Sequence, residues 1–495
     1  MTGIEIFLLG SILVVGLFAA WNIGANDVAN AMGTSVGSGA LTLRRAVIVA
    51  AIFEFAGAVI VGSNVAETVR KKMFDPEKLN DIYGGDAAHV LACGMIASLL
   101  AAGTWLLIAT WKHWPVSTTH SIVGAVVGFG AVALGVELVE WGKVGMITLG
   151  WVVSPLLSGT IAFAVFTIVL KTIFYKKDPV RAAREKSPYI VFFVMLVVSG
   201  VTAYKGLKPL WGRLGVDKEA LFSPKIFGIT LGVAVALGIA GFLVTKWLVN
   251  KKIPLSDSCG ENGNAMLHTD VARSLGKAMM HMKRVRANTD GQLNDDSRKL
   301  LDELEGMHKA AVEQTQFGTD SEELKQVEKI FVYLQILTAC FVAFAHGAND
   351  VANAIGPMSA GWHAVQTGQV ALKAGVPLWA LAIGGIGIVA GLATWGWRVI
   401  KTVGEKITEL TPSRGFCAEF AAAITILLAS VLPIGLPVST THTLVGAVLG
   451  VGFARGIGAL NMSTMKNILA SWAITIPAGA ILCVVYFYIL KMIVI

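Results

Sequence analysis

The octapeptide GANDVANA occurs twice in this chain, within residues 23–33 (IGANDVANAMG) and within residues 346–356 (HGANDVANAIG). Each copy places asparagines and an aspartate at the end of an apolar run, where a membrane helix would favour leucine. The aspartate and the last asparagine are three positions apart, so a helical turn would put them on one face. A carboxylate is costly in an apolar setting, and its duplication therefore predicts a functional site.

The rest of the chain is strongly apolar. Of its 495 residues, 55% are hydrophobic and only 15% are charged, whereas soluble domains carry about 25% charged residues. Apolar runs of 18 or more residues recur along the chain, which is the pattern of transmembrane helices. We therefore predict an all-α polytopic membrane protein in a lipid bilayer. The net charge of +8 is better explained by topology-setting basic loops than by a nucleic-acid partner.

We expect about twelve transmembrane helices, some of them short enough to form helical hairpins or re-entrant elements. The expected spans lie near 4–26, 44–66, 86–111, 118–137, 144–174, 189–204, 225–249, 328–347, 373–401, 416–435, 440–458 and 465–494. Asp27 ends the first span and Asp350 ends the eighth, so seven crossings separate them. An odd number of crossings predicts an inverted-topology repeat, which is the plan of many secondary transporters.

The charge pattern divides the chain into four predicted parts. These are a first transmembrane repeat (1–174), intervening helices (175–250), a hydrophilic and helical loop (251–327) and a second, inverted repeat (328–495). Residues 171–186 hold six Lys or Arg and two acids, which predicts a cytoplasmic loop. Both termini would then lie outside and 251–327 inside, although the basic loop near 205–225 argues for the opposite orientation.

A second duplication lies at nearly the same offset as the first. Residues 115–128 read PVSTTHSIVGAVVG and residues 437–450 read PVSTTHTLVGAVLG. Proline disfavours helix at the preceding residue and serine is a favoured N-cap, so each copy predicts a helix N-terminus. Free N–H groups, the positive end of the helix dipole and hydroxyls together form an oxyanion cradle. Its candidate residues are Ser117, Thr118, Thr119, Ser439, Thr440 and Thr441. The alternative is plain helix capping, and the GxxxG steps that follow predict close helix packing.

The octapeptides offer hard oxygen ligands, which suit a cation such as Na⁺ or a proton relay. Two further acids, Glu54 and Glu419, lie inside apolar spans at unequal distances from the motifs, so they are not a matched pair. Each could coordinate a cation, carry a proton or serve a structural role. The candidate cation-binding residues are Asn26, Asp27, Asn30, Asn349, Asp350, Asn353, Glu54 and Glu419, with Asp27 and Asp350 as the metal (Na⁺) ligands. The alternative is a polar network that links helices.

The predicted core contains four carboxylates and no evident Lys or Arg. His120, His346 and His442 lie close to the motifs, but buried histidines are more often neutral. An anion could not bind beside unpaired carboxylates, because like charges repel strongly at low dielectric. Bound cations would remove this repulsion, so the residues themselves favour joint binding of anion and cation, which is symport.

Both duplicated motifs, the twelve spans and the hydrophilic central loop resemble the inorganic phosphate transporter (PiT) family. The resemblance covers roughly 1–250 and 328–495, and it includes the glutamate-bearing segments TLRRAVIVAAIFEFAGA and LTPSRGFCAEFAAAITILLAS. It implies Na⁺- or H⁺-coupled uptake of inorganic phosphate by a homodimer with an inverted-repeat core. The intact GAND in both copies resembles the sodium-coupled branch.

The resemblance also implies roles for the candidate residues. It assigns cation binding to Asp27 and Asp350, phosphate binding to the serine and threonines of each PVSTTH, and a part in transport to Glu54 and Glu419. No cofactor is expected beyond the coupling ion. The compact loops and the lack of a targeting sequence suggest the inner membrane of a prokaryote.

Three rival functions remain open at this stage. A sulfate transporter of the same fold would use similar donors, although an acid-rich core favours phosphate because phosphate has a proton to donate. An intramembrane hydrolase would need Ser117, His120 and Asp27 to act as a triad, but a serine and a histidine three apart at a helix start seldom align nucleophile and base, and no HExxH motif occurs. A passive anion channel would show uptake without a cation gradient. We expect a transporter and not an enzyme.

Overall fold

The structure is a computed structural model that describes residues 2–71, 75–206, 224–252, parts of 275–286, 292–318, 322–370, 376–405, 407–431, 438–456 and 461–495. Within these ranges every regular element is helical and no strand occurs. Ten of the described helices are long and apolar enough to cross a membrane. The predicted all-α membrane fold is therefore confirmed.

The main helices number fifteen in the described part of the chain. They are α1 Gly3–Gly37, α2 Leu43–Lys71, α3 Lys78–Tyr83, α4 Ala87–Trp111, α5 Thr118–Ala133, α6 Trp141–Val169, α7 Pro179–Gly206, α8 Pro224–Lys252, α9 Gln292–Gly318, α10 Glu322–Thr367, α11 Leu378–Trp395, α12 Trp397–Glu405, α13 Pro412–Val431, α14 Thr440–Arg455 and α15 Met462–Val494.

Two of the twelve expected spans are short helices. Helices α5 and α14, which begin at the two PVSTTH segments, have 16 residues each. Such a helix is about 24 Å long, less than the roughly 30 Å of a bilayer's hydrocarbon core. The count of seven crossings assumed that α5 crosses fully, so the inverted topology stays a prediction.

Helices α1 and α10 continue well past the points where spans 4–26 and 328–347 were expected to end. They contain both octapeptides in their interiors and end at Gly37 and Thr367. A helix satisfies its own backbone hydrogen bonds, so polar side chains can replace apolar ones without breaking it. The polar residues of each octapeptide therefore form a polar face in the middle of a helix and do not end it.

The glycine that opens each octapeptide allows two helices to touch. A Cβ on Gly347 of α10 would lie 2.0 Å from the carbonyl oxygen of Glu54 on α2. A Cβ on Gly24 of α1 would lie 1.9 Å from the carbonyl oxygen of Ile388 on α11. Any larger residue would push these helices apart, and with them the aspartates three positions further along each motif.

The GxxxG steps after each PVSTTH also lie at close helix contacts, as predicted. In α14, a Cβ on Gly446 would approach the carbonyl oxygen of Pro155 on α6 to 2.3 Å. In α5, a Cβ on Gly124 would approach the carbonyl oxygen of Ile476 on α15 to 2.5 Å. Each PVSTTH helix is thus packed tightly along a neighbouring long helix.

The described chain forms two compact units. The first comprises residues 1–167, 190–242 and 331–495, and it contains all four motif copies. The second comprises residues 168–189 and 243–330. It includes α9, which lies in the segment expected to be a helical loop, and an exposed ion pair of 3.5 Å between Lys283 and Glu305.

Replacing Gly347 by alanine tests the close contact between α10 and α2. The added methyl group would overlap the Glu54 carbonyl, and overpacking of this kind typically costs about 1–3 kcal/mol. We expect Gly347→Ala to lower the melting temperature of the purified protein clearly. Gly150→Ala on α6 is the control, because a Cβ there would meet nothing within 4 Å. Equal melting temperatures for the two variants would contradict the packing described here.

Candidate functional site

Each octapeptide presents an aspartate and an asparagine on one helical face. In α1 the Asn30 amide donates to Asp27 Oδ1 at 2.9 Å, and in α10 the Asn353 amide donates to Asp350 Oδ1 at 3.0 Å. All four side chains are buried. The spacing of three residues therefore has the effect expected from the sequence, and it orients each carboxylate through its own helix.

The threonines that begin α5 and α14 donate to these carboxylates. Thr118 Oγ1 donates to Asp27 Oδ2 at 2.7 Å, and Thr440 Oγ1 donates to Asp350 Oδ2 at 3.0 Å. Thr441 Oγ1 lies 3.1 Å from both Asp27 Oδ1 and the carbonyl oxygen of Val116, and its single proton can be donated to either. The two kinds of motif, which are about 90 residues apart in each half, thus meet at the same two aspartates.

The asparagines join the two halves to each other. The Asn30 amide donates to Thr441 Oγ1 at 2.8 Å, and the Asn353 amide lies 3.2 Å from both Thr118 Oγ1 and Thr119 Oγ1. Each half therefore contributes an asparagine to the other half's threonines. We call the set the central cluster; it comprises Asp27, Asn30, Thr118, Thr119, Asp350, Asn353, Thr440 and Thr441.

The serines of the PVSTTH segments are helix caps. Ser117 Oγ accepts the backbone N–H of His120, and Ser439 Oγ accepts that of His442, each at 3.2 Å. The His120 ring does not pair with Ser117 but packs on Trp151, with ring centroids 3.6 Å apart. Each serine is thus the N-cap that the sequence predicts. Ser117 and His120 are not arranged as the nucleophile and base of a hydrolase triad.

His346, for which the sequence predicts no role, connects the central cluster to Glu54. Its Nδ1 lies 3.1 Å from Glu54 Oε1, and its Nε2 lies 2.9 Å from Asp350 Oδ2 and 3.8 Å from Asp27 Oδ2. The 2.9 Å contact is at ion-pair distance but is not aligned as a hydrogen bond. The signal in the sequence was the histidine before the second GANDVANA, where the first copy has isoleucine.

Asp27, His346 and Asp350 could hold a cation. Their ligand atoms lie within 4.8 Å of one another, and all three residues are buried. Pro357 in α10 has no N–H, so the carbonyl of Asn353, four residues earlier, loses its helical partner. A carbonyl oxygen of this kind is a further hard ligand beside the cluster.

Glu419 occupies a pocket of its own, and its partners were not predicted. Its Oε1 accepts from Thr34 and Ser35 at 2.6 Å each and from Gln335 at 3.2 Å, and its Oε2 accepts from Thr338 at 2.7 Å. Thr34 and Ser35 lie three and four residues after the end of the first octapeptide, and this proximity was the only available signal. Glu54 differs, because its Oε2 has no hydrogen-bond partner among the described residues.

The remaining two candidate asparagines have other contacts. The Asn26 amide donates to Thr110 and to the carbonyl of Trp114, and its Oδ1 accepts the N–H of Val116. It therefore ties α1 to the start of the first PVSTTH segment rather than facing the cluster. The Asn349 amide donates to Asp350 Oδ1 at 3.1 Å.

Removal of the Glu419 carboxylate should destabilise the protein. Glu419→Ala leaves four buried donors without their acceptor, and each unsatisfied buried donor costs about 1–3 kcal/mol. We expect a marked fall in the melting temperature, whereas Glu137→Ala, at an exposed position, should leave it unchanged. A Glu419→Ala protein as stable as the control would show that these hydrogen bonds contribute little.

Comparison with known proteins agrees with this geometry. The sequence model of the phosphate transporter family matches residues 23–483. The chain is 42% identical over 479 residues to inorganic phosphate transporter 2-1, chloroplastic, of Arabidopsis thaliana, covering 96% of this chain and 71% of the relative. It is 41% identical over 489 residues to a Chlamydia pneumoniae protein named as a phosphate permease, covering 97% of each. A solved structure titled as the sodium-dependent phosphate transporter matches with a TM-score of 0.76 and 35% identity, covering 98% of this chain and 100% of that one. This chain belongs to the phosphate transporter family, and it is a multi-span membrane transport protein rather than an enzyme.

Proposed function

We propose that the protein imports inorganic phosphate by symport with Na⁺ and works by alternating access. The observation that carries this proposal is the central cluster, in which hydroxyl and amide donors from both halves surround two buried carboxylates. Among the described residues, the hydrogen bonds and ion pairs of this cluster involve no Lys or Arg. A site with this composition can accept an anion only together with cations.

The anion half of the proposed site is the pair of helix N-termini. Helices α5 and α14 begin at Thr118 and Thr440, so their first backbone N–H groups and their positive dipole ends lie beside the threonine hydroxyls. Phosphate would be bound by Thr118, Thr119, Thr440 and Thr441, with Ser117 and Ser439 shaping the two turns. The amides of Asn30 and Asn353 supply further donors.

The cation half consists of the carboxylates. Asp27 and Asp350 would be the direct Na⁺ ligands, supported by Asn30, Asn353 and the Asn353 carbonyl that Pro357 leaves without a helical partner. Glu54, through His346, and Glu419, in its pocket of hydroxyls, would stabilise cations near the cluster. Asn26 and Asn349 complete the proposed cation-binding residues, the former by holding the PVSTTH segment against α1.

The hydrogen bonds provide a physical route for coupling. Thr118 has one hydroxyl proton, which it donates here to Asp27, and Thr440 donates in the same way to Asp350. A hydroxyl cannot donate to a carboxylate and to phosphate at once. A cation that binds the carboxylate oxygens replaces the hydroxyl donor and frees it for the anion, so each ligand favours the binding of the other.

Sodium is favoured over H⁺ by the intact GAND sequence in both copies and by the name of the structural neighbour. Phosphate is favoured over sulfate because Asp27 or Asp350 can accept the proton that phosphate carries and sulfate lacks. The homodimer, the inner-membrane location, the outside termini and the cytoplasmic placement of 251–327 stay predictions of the sequence.

Phosphate uptake by the purified protein in proteoliposomes tests the proposed function. We expect an inward Na⁺ gradient to stimulate uptake of labelled phosphate by about tenfold, a coupling of ordinary size, and excess sulfate to compete weakly. A proton gradient alone should have little effect.

Other outcomes of this assay would select a rival function. Stimulation by a proton gradient and not by Na⁺ would establish the H⁺-coupled alternative, and equal competition by sulfate would remove the preference for phosphate. Uptake that depends on neither cation would refute symport and favour a passive channel.

Neutral variants of the two aspartates test their role. Asp27→Asn and Asp350→Asn keep the side-chain shape but remove the charge that would hold the cation. We expect each to lower Na⁺-driven uptake by roughly a hundredfold, as for loss of about 3 kcal/mol from a buried charge pairing, while the protein still inserts. Asp86→Asn, at an exposed position, is the matched control. Near-normal uptake by both core variants would refute the assignment.

A further inference from the structure

Four aromatic rings lie in contact at the start of helices α5 and α14. The His120 ring packs on Trp151 with centroids 3.6 Å apart, and it meets His442 edge-on at 4.3 Å. The His442 ring stacks on Trp472 at 3.5 Å and an interplanar angle of 20°. We call these four residues the ring stack. Its two histidines are buried and directly follow the threonines of the central cluster.

A proline in α6 determines how His442 is held. Pro155 has no N–H, so the carbonyl of Trp151, four residues earlier, lacks its helical partner. The His442 Nδ1 lies 3.3 Å from this carbonyl oxygen. Because a carbonyl oxygen can only accept, His442 carries a proton on Nδ1 and donates it there. The side chain is thus fixed both by stacking and by a hydrogen bond to a neighbouring helix.

His120 has no equivalent bond. In α15 the proline is Pro477, five residues after Trp472, so the carbonyl of Trp472 keeps the N–H of Ile476 as its helical partner. Neither ring nitrogen of His120 has a hydrogen-bond partner within the described residues. His120 therefore contributes through ring shape and contact rather than through hydrogen bonding.

The ring stack also reaches the first PVSTTH segment from the other direction. The Nε1–H of Trp472 donates to the carbonyl of Pro115 at 3.3 Å. Helix α6 therefore holds the histidine of the second segment, and α15 holds the proline of the first. Since His120 and His442 also touch each other, the two helix N-termini are connected directly through these rings.

We propose that His120 and His442 are positioning residues, which set the separation of the two helix N-termini so that their threonines converge on one phosphate. This inference rests on the proposed phosphate role of those threonines. His442 positions its segment by the hydrogen bond to Trp151 and by stacking, whereas His120 acts as an aromatic spacer. Neither ring touches the anion. Loss of either histidine ring moves the threonine hydroxyls and the N–H groups of the helix N-termini. Phosphate binding is then weaker, although no phosphate ligand has been removed.

Phosphate uptake kinetics separate positioning from a purely structural role. In His442→Phe the ring remains but the Trp151 carbonyl loses its donor, and we expect KM for phosphate to rise about tenfold, in line with one unsatisfied buried polar group, with little change in maximal rate. His120→Ala should raise KM similarly, and His120→Phe should restore it to within about twofold because the spacer is regained. His363→Phe in α10, far from the stack in sequence, is the control.

A double variant checks the proline explanation. Pro155→Ala returns an N–H that can bond the Trp151 carbonyl, so Pro155→Ala/His442→Phe should have a lower KM than His442→Phe alone.

Trp472→Phe keeps a stacking face but loses the hydrogen bond to Pro115, and we expect a rise in KM of about threefold, as for one net hydrogen bond. This variant decides the matter independently should His442→Phe fail to insert.

The outcomes distinguish this inference from the proposed function. If the wild-type protein takes up phosphate with Na⁺ but His442→Phe, His120→Ala and Trp472→Phe keep the wild-type KM, the ring stack has no positioning role. A His120→Phe defect as large as that of His120→Ala would also overturn the spacer assignment. If the wild-type protein shows no phosphate uptake under any gradient, the proposed function itself fails.

Discussion

The negative charge of two carboxylates inside an apolar helix bundle is the constraint on which this structure depends. Asp27 and Asp350 are almost fully buried, and buried charge is stable only when it is paired or well hydrogen-bonded. The helix faces, the PVSTTH turns and the asparagines all supply donors to these two groups. The opening glycines of the octapeptides hold α10 against α2 and α1 against α11, and His346 Nε2 lies 2.9 Å from Asp350 and 3.8 Å from Asp27.

The surroundings of the two aspartates are similar but not equal. Gly347 faces the carbonyl of Glu54 much as Gly24 faces that of Ile388, and His346 occupies the position that Ile23 has in the first octapeptide. The second octapeptide is thus next to the imidazole of His346 and the residue Glu54. At the equivalent places the first octapeptide has Ile23 and Ile388. The two copies therefore differ chemically in their surroundings, although the donors within the central cluster are reciprocal.

The duplicated motifs were informative because a motif constrains its own local geometry. A spacing of three residues put Asp27 and Asn30 on one face, and Ser-Thr-Thr after proline began a helix at each copy. Contacts between distant segments left no such signal. Glu419 meets Thr34, 385 residues away in the chain, and Glu54 meets His346 at a separation of 292. No local spacing encodes such a pair, so the pocket of Glu419 and the role of His346 required the structure.

Helix lengths were the other part that the sequence could not supply. Polar residues suggested that the first and eighth spans ended at the octapeptides, yet α1 and α10 run on past both. The backbone hydrogen bonds of a helix do not depend on the polarity of its side chains. The helix therefore continues wherever its polar side chains have hydrogen-bond partners. Here the partners are threonines of both halves. The hydrogen bonds that assemble the site are therefore the same ones that let α1 and α10 continue through the octapeptides. A substitution that removed these bonds would weaken both the site and the two helices.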